Sequence, residues 1–161
     1  MSTPQNPPVP EQTVIPSLPI RDAVAALDFY CRAFGAVQTV NLPTPDGKIA
    51  HAEIRIGNST IMLGEENADW NSLSPLSVGG SSTKLLIYVA DVDATFKQAL
   101  EAGAKSLMEP ANQFWGDRMG EIIDPFGYRW MLATKIEEVH PDEYPARMAA
   151  FFANGGNCGG Q

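Results

Sequence analysis

The sequence predicts an α+β fold in which two tandem β-α-β-β-β units form a curled mixed sheet cup with helices outside. Residues 20–37 and residues 89–105 share one order: the end of an apolar run, an Asp, an amphipathic helical pattern and Gly-Ala. In each unit one strand pattern precedes the Asp and three follow the Gly-Ala. Because the unit is duplicated, we expect a site between the halves, built from paired positions.

The first unit follows this order element by element. Residues 13–21 are β-branched and interrupted by Pro, as is typical of an edge strand. Asp22 is a suitable N-cap, apolar residues then recur at helical spacing, and Gly35 supplies the stop. Separated by Pro-Thr-Pro-Asp-Gly and Gly-Asn turns, three further strands are predicted at residues 37–42, 48–56 and 59–63.

The second unit begins after residues 65–82, which read as a polar linker. A strand is predicted at residues 84–89, and Asp91 then begins a helix that ends at Gly103. The remaining predictions are a short strand at 105–108, a loop at 109–116, two strands at 118–123 and 128–134, and a terminal helix within 137–153.

These elements give the expected domain limits. One domain covers residues 13–135, with repeat units at 13–66 and 83–134. The Pro-rich residues 1–12 are predicted to be a disordered lead-in, and residues 136–161 a C-terminal helix with a flexible Gly-rich tail.

Composition limits the classes of molecule that the protein is expected to bind. The 19 acidic residues outnumber the 11 basic ones, for a net charge of −8, which argues against nucleic acid as a partner. An acidic surface is compatible with a cationic ligand, although it also serves plain solubility. No apolar run is long enough to cross a bilayer, no secretory signal is evident, and Cys31 and Cys158 do not suggest a disulfide framework. We therefore expect a cytoplasmic protein without membrane association.

Two phrases carry a family resemblance. "AALDFYCRAFGA" in the first helix and "DPFGYRW" in the last hairpin resemble the vicinal oxygen chelate superfamily, also called the glyoxalase/bleomycin-resistance/dioxygenase family. "HAEIRIGNSTIML" and "WGDRMGEIIDPFGYRW" are further similar to its PhnB-like branch. The resemblance covers about residues 13–134. It implies a cup between the two units, a homodimer and, in enzymatic members, one divalent metal held by two ligands from each unit.

The resemblance also implies where those metal ligands would lie. Counted from the helix-capping Asp22 and Asp91 and from the two hairpins, the positions are Ile15, Met62, Lys84 and Met131. None offers a carboxylate or imidazole, the donors that such sites use for Mg²⁺, Mn²⁺ or Zn²⁺. We therefore expect no metal and no other cofactor.

Strand alternation predicts which side chains face the cup. With the register taken from the ligand positions, one face is mixed in character, and the opposite face is uniformly apolar and suited to packing under the helices. The mixed face is expected to carry Ile15, Ser17, Pro19, His51, Glu53, Arg55, Thr60, Met62, Lys84, Leu86, Tyr88, Arg129 and Met131.

Several of these residues are candidates for function. His51 and Glu53 point the same way and could act as an acid–base pair. Lys84 could hold a carboxylate or phosphonate, or pair with Glu53, and Trp115 lies in a loop where aromatic side chains often form a ligand wall. The predicted ligand-binding residues are Ser17, Arg55, Met62, Lys84, Tyr88, Trp115 and Met131.

Three interpretations remain open at this point. The first is a metal-free protein that binds a small molecule, of positive charge in one version, as bleomycin-resistance proteins do. The second is a glyoxalase-like lyase or isomerase that uses His51 and Glu53, with or without a metal. The third is a partner-binding subunit that has no ligand.

Overall fold

The computed structural model describes residues 11–156. Most of the predicted lead-in, the end of the Gly-rich tail and Cys158 lie outside the described residues. Within them, no helix is long and apolar enough to span a membrane.

The first unit forms a four-stranded mixed sheet with one helix against it. Its elements are β1 (Ser17–Ile20), α1 (Ala23–Phe34), β2 (Val37–Pro43), β3 (Ile49–Ile56) and β4 (Ser59–Glu65). The strand order is β1-β4-β3-β2, with β1 parallel to β4 and the other neighbours antiparallel.

The segment between the units is more ordered than a plain linker. It contains a short 3-10 helix (Ala68–Trp70) and the one-turn helix α2 (Pro75–Val78). Glu66 holds α2 in place because its carboxylate accepts hydrogen bonds from the Ser77 hydroxyl at 2.6 Å and the Ser74 N–H at 2.9 Å. The polar linker predicted at residues 65–82 therefore contains short helical turns that the sequence did not indicate.

The second unit repeats the topology of the first. Its elements are β5 (Lys84–Tyr88), α3 (Val92–Ala102), β6 (Lys105–Asn112), β7 (Asp117–Ile123) and β8 (Arg129–Lys135). The strand order is β5-β8-β7-β6, with β5 parallel to β8. A 3-10 helix (Pro141–Glu143) and helix α4 (Tyr144–Ala153) follow the unit.

Both helices begin and end where the sequence predicts. The Asp22 side chain accepts from the Ala25 N–H at 3.1 Å, and the Asp91 side chain accepts from the Ala94 N–H at 3.0 Å. Asp22 is left-handed at φ 68°, a conformation that Asp tolerates better than most residues. The two-unit α+β prediction is thus confirmed.

The core lies between the sheets and the helices, and α1 and α3 pack against each other. Trp130 is fully buried, with its ring 4.8 Å from that of Phe34 between centroids. The predicted apolar face is confirmed: these residues are buried or pack against the core, namely Leu18, Ile54, Ile61, Leu63, Leu85, Ile87, Val89, Trp130 and Leu132.

Strand boundaries depart from prediction where pairing is irregular. Strand β1 is shorter than residues 13–21, because its ladder with β4 starts at Ser17. In β3, Ala50 is skipped in the pairing with β2, and this bulge turns Ile49 into the core instead of onto the face of His51. Strand β6 runs past Pro110, which an edge strand tolerates, so the first half of the predicted loop 109–116 is strand.

Candidate functional site

The candidate site is the sheet face opposite the apolar core face, called here the cup face of each unit. In the second unit, the pairing of β7 with β8 adds four residues of β7 that the sequence prediction omitted: Asp117, Met119, Glu121 and Ile123. Asp117 and Glu121 are buried polar residues.

Strand register places equivalent residues at matching positions in the two units. Met62 lies between Ser17 and Glu53 in the first sheet, and Met131 lies between Leu86 and Glu121 in the second. Each methionine at a family ligand position therefore has a glutamate directly across the hairpin. The repeat in the sequence contains a signal for Glu121. The Gly57-Asn58 turn places Glu53 opposite Met62 in the first hairpin, and Glu121 holds the equivalent position in the second.

Glu121 is the centre of an ion-pair cluster on the second cup face. Its side chain is 9% exposed and accepts from Lys84 Nζ at 2.9 Å and from Arg129 Nε at 2.6 Å. Lys84 therefore pairs within its own sheet and not with Glu53, which was one of the roles that the sequence left open for it. Arg129, which the sequence places on the cup face, completes the cluster, which carries one net positive charge.

Asp117 forms a second cluster at the other end of the same face. Its Oδ2 accepts from the Tyr88 hydroxyl and from Trp115 Nε1, each at 3.0 Å. The bond to Asp117 raises the pKa of Tyr88, because it favours the protonated phenol. Oδ1 is buried and has no hydrogen-bond partner among residues 11–156, and Lys135 Nζ lies 3.8 Å from it.

Trp115 is half-buried and anchored by this bond, so it is less accessible than an exposed loop aromatic. Its ring contacts Phe114, whose own ring packs 5.5 Å from that of Phe151 on α4. The terminal helix therefore supports the loop that carries Trp115.

The first cup face carries the His51–Glu53 pair. His51 Nε2 lies 3.3 Å from Glu53 Oε1, and the side chains are 38% and 28% exposed. Among the described residues, neither side chain hydrogen bonds to the second unit, whose Lys84 and Tyr88 are bound to Glu121 and Asp117. The pair could exchange a proton with a ligand, but its geometry does not join the two halves. Ser17 and Arg55 are exposed on this face, and Met62 is half-buried.

A cleft of about 350 Å³ opens where the two units meet. Its lining is mixed in polarity, and of the predicted ligand-binding residues Tyr88 belongs to it. The cleft extends around β5 beyond the cup face, which alternation alone did not predict. It is lined by Gln12, Val14, Pro16 and residues 56–61 from the first unit and by Leu85–Tyr88 and Trp130 from the second.

The donor set at the family's metal positions does not fit a hard divalent cation. Ile15 and the two methionines offer no oxygen or imidazole, and Lys84 is a cation already paired with Glu121. Within residues 11–156, no three His, Cys, Asp or Glu side chains come together in a way that could hold a metal ion.

Comparison with known proteins identifies the family. Residues 12–132 match the model of the Glyoxalase/Bleomycin resistance protein/Dioxygenase superfamily, and the chain belongs to this family. The uncharacterized protein Rv0887c of Mycobacterium tuberculosis is 41% identical over 143 residues, which are 87% of this chain and 84% of that protein.

Solved structures share the fold at lower identity. TioX from Micromonospora sp. ML1 superposes with a TM-score of 0.61 at 23% identity, covering 79% of this chain and 98% of TioX. A PhnB protein from Bacillus cereus gives a TM-score of 0.59 at 18% identity, covering 76% of this chain and 99% of that one. The family resemblance inferred from the sequence phrases is confirmed, and a PhnB protein is among the solved structures that share the fold.

Proposed function

We propose that this protein binds a small molecule between its two units without the help of a divalent metal. The observation that carries the proposal is the cleft to which both units contribute, with Tyr88 fixed at its edge by Asp117. A volume of about 350 Å³ with a mixed apolar and polar lining is of the kind that accommodates small ligands. The absence of suitable donors at Ile15, Met62, Lys84 and Met131 supports the metal-free form.

A ligand of positive charge fits the electrostatics best. The chain carries a net charge of −8, which attracts cations to its surface. Locally, Asp117 keeps one buried carboxylate oxygen without a hydrogen-bond donor among the described residues. The opposing contributions come from Lys135, whose Nζ lies 3.8 Å from that oxygen, and from Lys84 and Arg129, which pair with Glu121 and leave one net positive charge there.

Sequestration of a cationic compound in the cytoplasm, by a homodimer, is the form of this function that we propose. The exposed apolar side chain of Leu42 on the first cup face supports a dimer that covers it. Sedimentation equilibrium of the purified protein tests this part, because a monomer at micromolar concentration contradicts it.

The experiment for the binding function is a thermal-shift screen against cationic natural products, each paired with a neutral analogue. A ligand present at 100 times its dissociation constant stabilises the native state by about 2.7 kcal/mol, which is a shift of roughly 5–10 °C for a chain of this size. Shifts by cationic members that exceed those of the neutral analogues support the proposal. A screen in which no compound shifts the midpoint contradicts it.

The second candidate is a glyoxalase-like lyase or isomerase, and the contact between His51 and Glu53 is the observation that favours it. The variants His51→Ala and Glu53→Gln separate the candidates. If the protein is an enzyme that uses this pair for catalysis, both variants abolish turnover of any substrate found. If it is a binding protein, both variants keep the ligand affinity within about threefold, because the pair does not line the cleft.

A further inference from the structure

Strand β5 has an open edge that faces the cleft. In the described part of the chain it pairs with β8 alone. Just past its end, the Val89 N–H donates to the Ala133 carbonyl at 2.8 Å. Since successive residues of a strand direct their backbone groups to opposite edges, Leu85 and Ile87 also face β8, while Leu86 and Tyr88 direct their N–H and C=O groups to the open edge.

The cleft runs along this edge. Four consecutive residues, Leu85 to Tyr88, line it, although their side chains alternate between the two sheet faces. A cavity that touches four consecutive residues of a strand follows the strand's edge and not one of its faces. The backbone groups of Leu86 and Tyr88 therefore lie at the wall of the cleft.

On the opposite wall of the cleft, the side-chain amide of Gln12 hydrogen bonds to the backbone as a neighbouring strand would. Gln12 Oε1 accepts from the Thr60 N–H at 2.5 Å, and Gln12 Nε2 donates to the Thr60 carbonyl at 2.9 Å. This two-bond exchange is the pattern of a hydrogen-bonded pair in an antiparallel ladder. A primary amide of the chain itself thus occupies the place of a neighbouring peptide group, on the first unit's side of the cleft.

We propose that the cleft binds an extended, amide-bearing ligand, a short peptide or peptide-like molecule, that adds alongside the open edge of β5. Its N–H and C=O groups pair with Leu86 and Tyr88, which lie about 6.7 Å apart as second neighbours on a strand. The exposed side chains of the same two residues, 43% and 60% exposed, contact the ligand's substituents. This inference rests on the proposed binding function and names the ligand's chemical class.

Amide hydrogen exchange followed by NMR tests the edge directly. The probe is a mixture of N-acetylated, C-amidated tetrapeptides, from which the tightest binder is isolated and used alone. Its binding is expected to slow exchange at the Leu86 and Tyr88 amides by at least about tenfold, because new hydrogen bonds protect them, while the Ile87 amide, already bonded to β8, changes little. Protection confined to the His51 face overturns the inference.

A matched pair of variants tests the same point through affinity. Leu86→Pro deletes the open-edge N–H without removing a bond to β8, as an edge position permits, and Leu86→Ala removes the side chain but keeps the N–H. We expect Leu86→Pro to bind the peptide at least about tenfold more weakly than Leu86→Ala. If Leu86→Pro fails to fold, the peptide N-methylated at the pairing amides is titrated into the parent protein, and undiminished affinity then overturns the inference.

The outcomes also separate this inference from the proposed function. Small molecules that bind equally well to Leu86→Pro and Leu86→Ala preserve the proposed function and overturn the peptide mode. Failure of every compound and every peptide to bind overturns both. A third outcome is that no tetrapeptide protects the Leu86 and Tyr88 amides, while Leu86→Pro dissociates a dimer of the parent protein. The edge then binds a second copy of the chain, and the inference is overturned.

Discussion

The Tyr30 hydroxyl on α1 donates a hydrogen bond of 2.8 Å to Asp124 in the β7–β8 turn, and so joins the two units through the core. The Asp124 carboxylate also accepts from Trp130 Nε1 and from the N–H groups of Phe126 and Tyr128, each at 2.9 Å. Burial raises the pKa of Asp124, and these donors oppose the rise. The Asp of the D-P-F-G phrase is therefore a structural centre on which both units depend.

Removing the Tyr30 hydroxyl should destabilise the fold more than removing a comparable hydroxyl elsewhere. Tyr30→Phe leaves a buried carboxylate short of one donor, at a cost of about 2 kcal/mol. The matched control is Tyr128→Phe, which removes a 2.8 Å bond to the neutral Pro19 carbonyl and should cost about 1 kcal/mol. Urea denaturation measures both, and an equal or reversed order contradicts the greater cost assigned to the hydroxyl that serves the buried Asp124 carboxylate.

Low pH should destabilise the segment between the units, because the ionised Glu66 carboxylate holds that segment in place. Hydrogen bonds from Ser77, the Ser74 N–H and Arg21 lower the pKa of Glu66 from 4.5 to about 2. Since the folded-state pKa lies below the unfolded value, this contribution to stability is present above about pH 4.5 and is lost as the pH falls towards 2. Melting temperatures from pH 7 to pH 2 should show the difference between the parent and Glu66→Gln disappearing over this range.

Ser77→Ala provides the control for that titration. It deletes the hydroxyl that lies 2.6 Å from Glu66 Oε2 and that lowers the pKa of Glu66 most. In Ser77→Ala the loss of stability between pH 4.5 and pH 2 should therefore be smaller than in the parent and should level off at a higher pH, because the folded-state pKa of Glu66 then lies nearer to its unfolded value. Identical profiles for the two proteins mean that Glu66 does not hold the segment.

Within the Glu121 cluster, substitution of Glu121 should destabilise the fold more than substitution of Lys84. Glu121→Gln removes the buried charge that pairs with both Lys84 and Arg129 and should cost about 3 kcal/mol. Lys84→Met should cost at most about 1 kcal/mol, because Lys84 is 40% exposed and Arg129 remains paired with the carboxylate. Chemical denaturation tests the order, and a Lys84 variant as unstable as the Glu121 variant is inconsistent with a cluster centred on Glu121.

Asp117 should matter for a cationic ligand and less for a neutral one. Asp117→Asn keeps an oxygen acceptor for Tyr88 and Trp115 but removes the negative charge from a side chain that is 5% exposed. We expect the affinity for a cationic compound from the screen to fall about tenfold, with less than a threefold change for its neutral analogue. Calorimetric titration measures both, and equal losses indicate that Asp117 acts only through the position of Tyr88.

Local signals made much of the fold predictable. The Asp22 and Asp91 caps and the apolar face are consequences of residue type and periodicity, and they are found where the sequence places them. The bulge at Ala50 and the passage of β6 through Pro110 were missed because both depend on what lies across the ladder, and periodicity does not contain that information.

The candidate site was less predictable for the same reason. Lys84 pairs with Glu121 and not Glu53 because β5 and β7 both flank β8, whereas the two units share no sheet. Asp117 and Glu121 were missed because the face of β7 was not assigned before its register with β8 was known. The cleft depends on how the edge of β5 approaches residues 12–16, a long-range arrangement that strand alternation does not specify.

The most direct test of the central claim is the thermal-shift screen run twice on chelator-treated protein, once alone and once with added Mn²⁺, Ni²⁺ or Zn²⁺. Metal-free binding between the units predicts that the same compounds raise the melting temperature by equal amounts in both runs. Stabilisation by the metal alone, or by compounds only when metal is present, would contradict the account, because a species that binds only the native state must raise its stability.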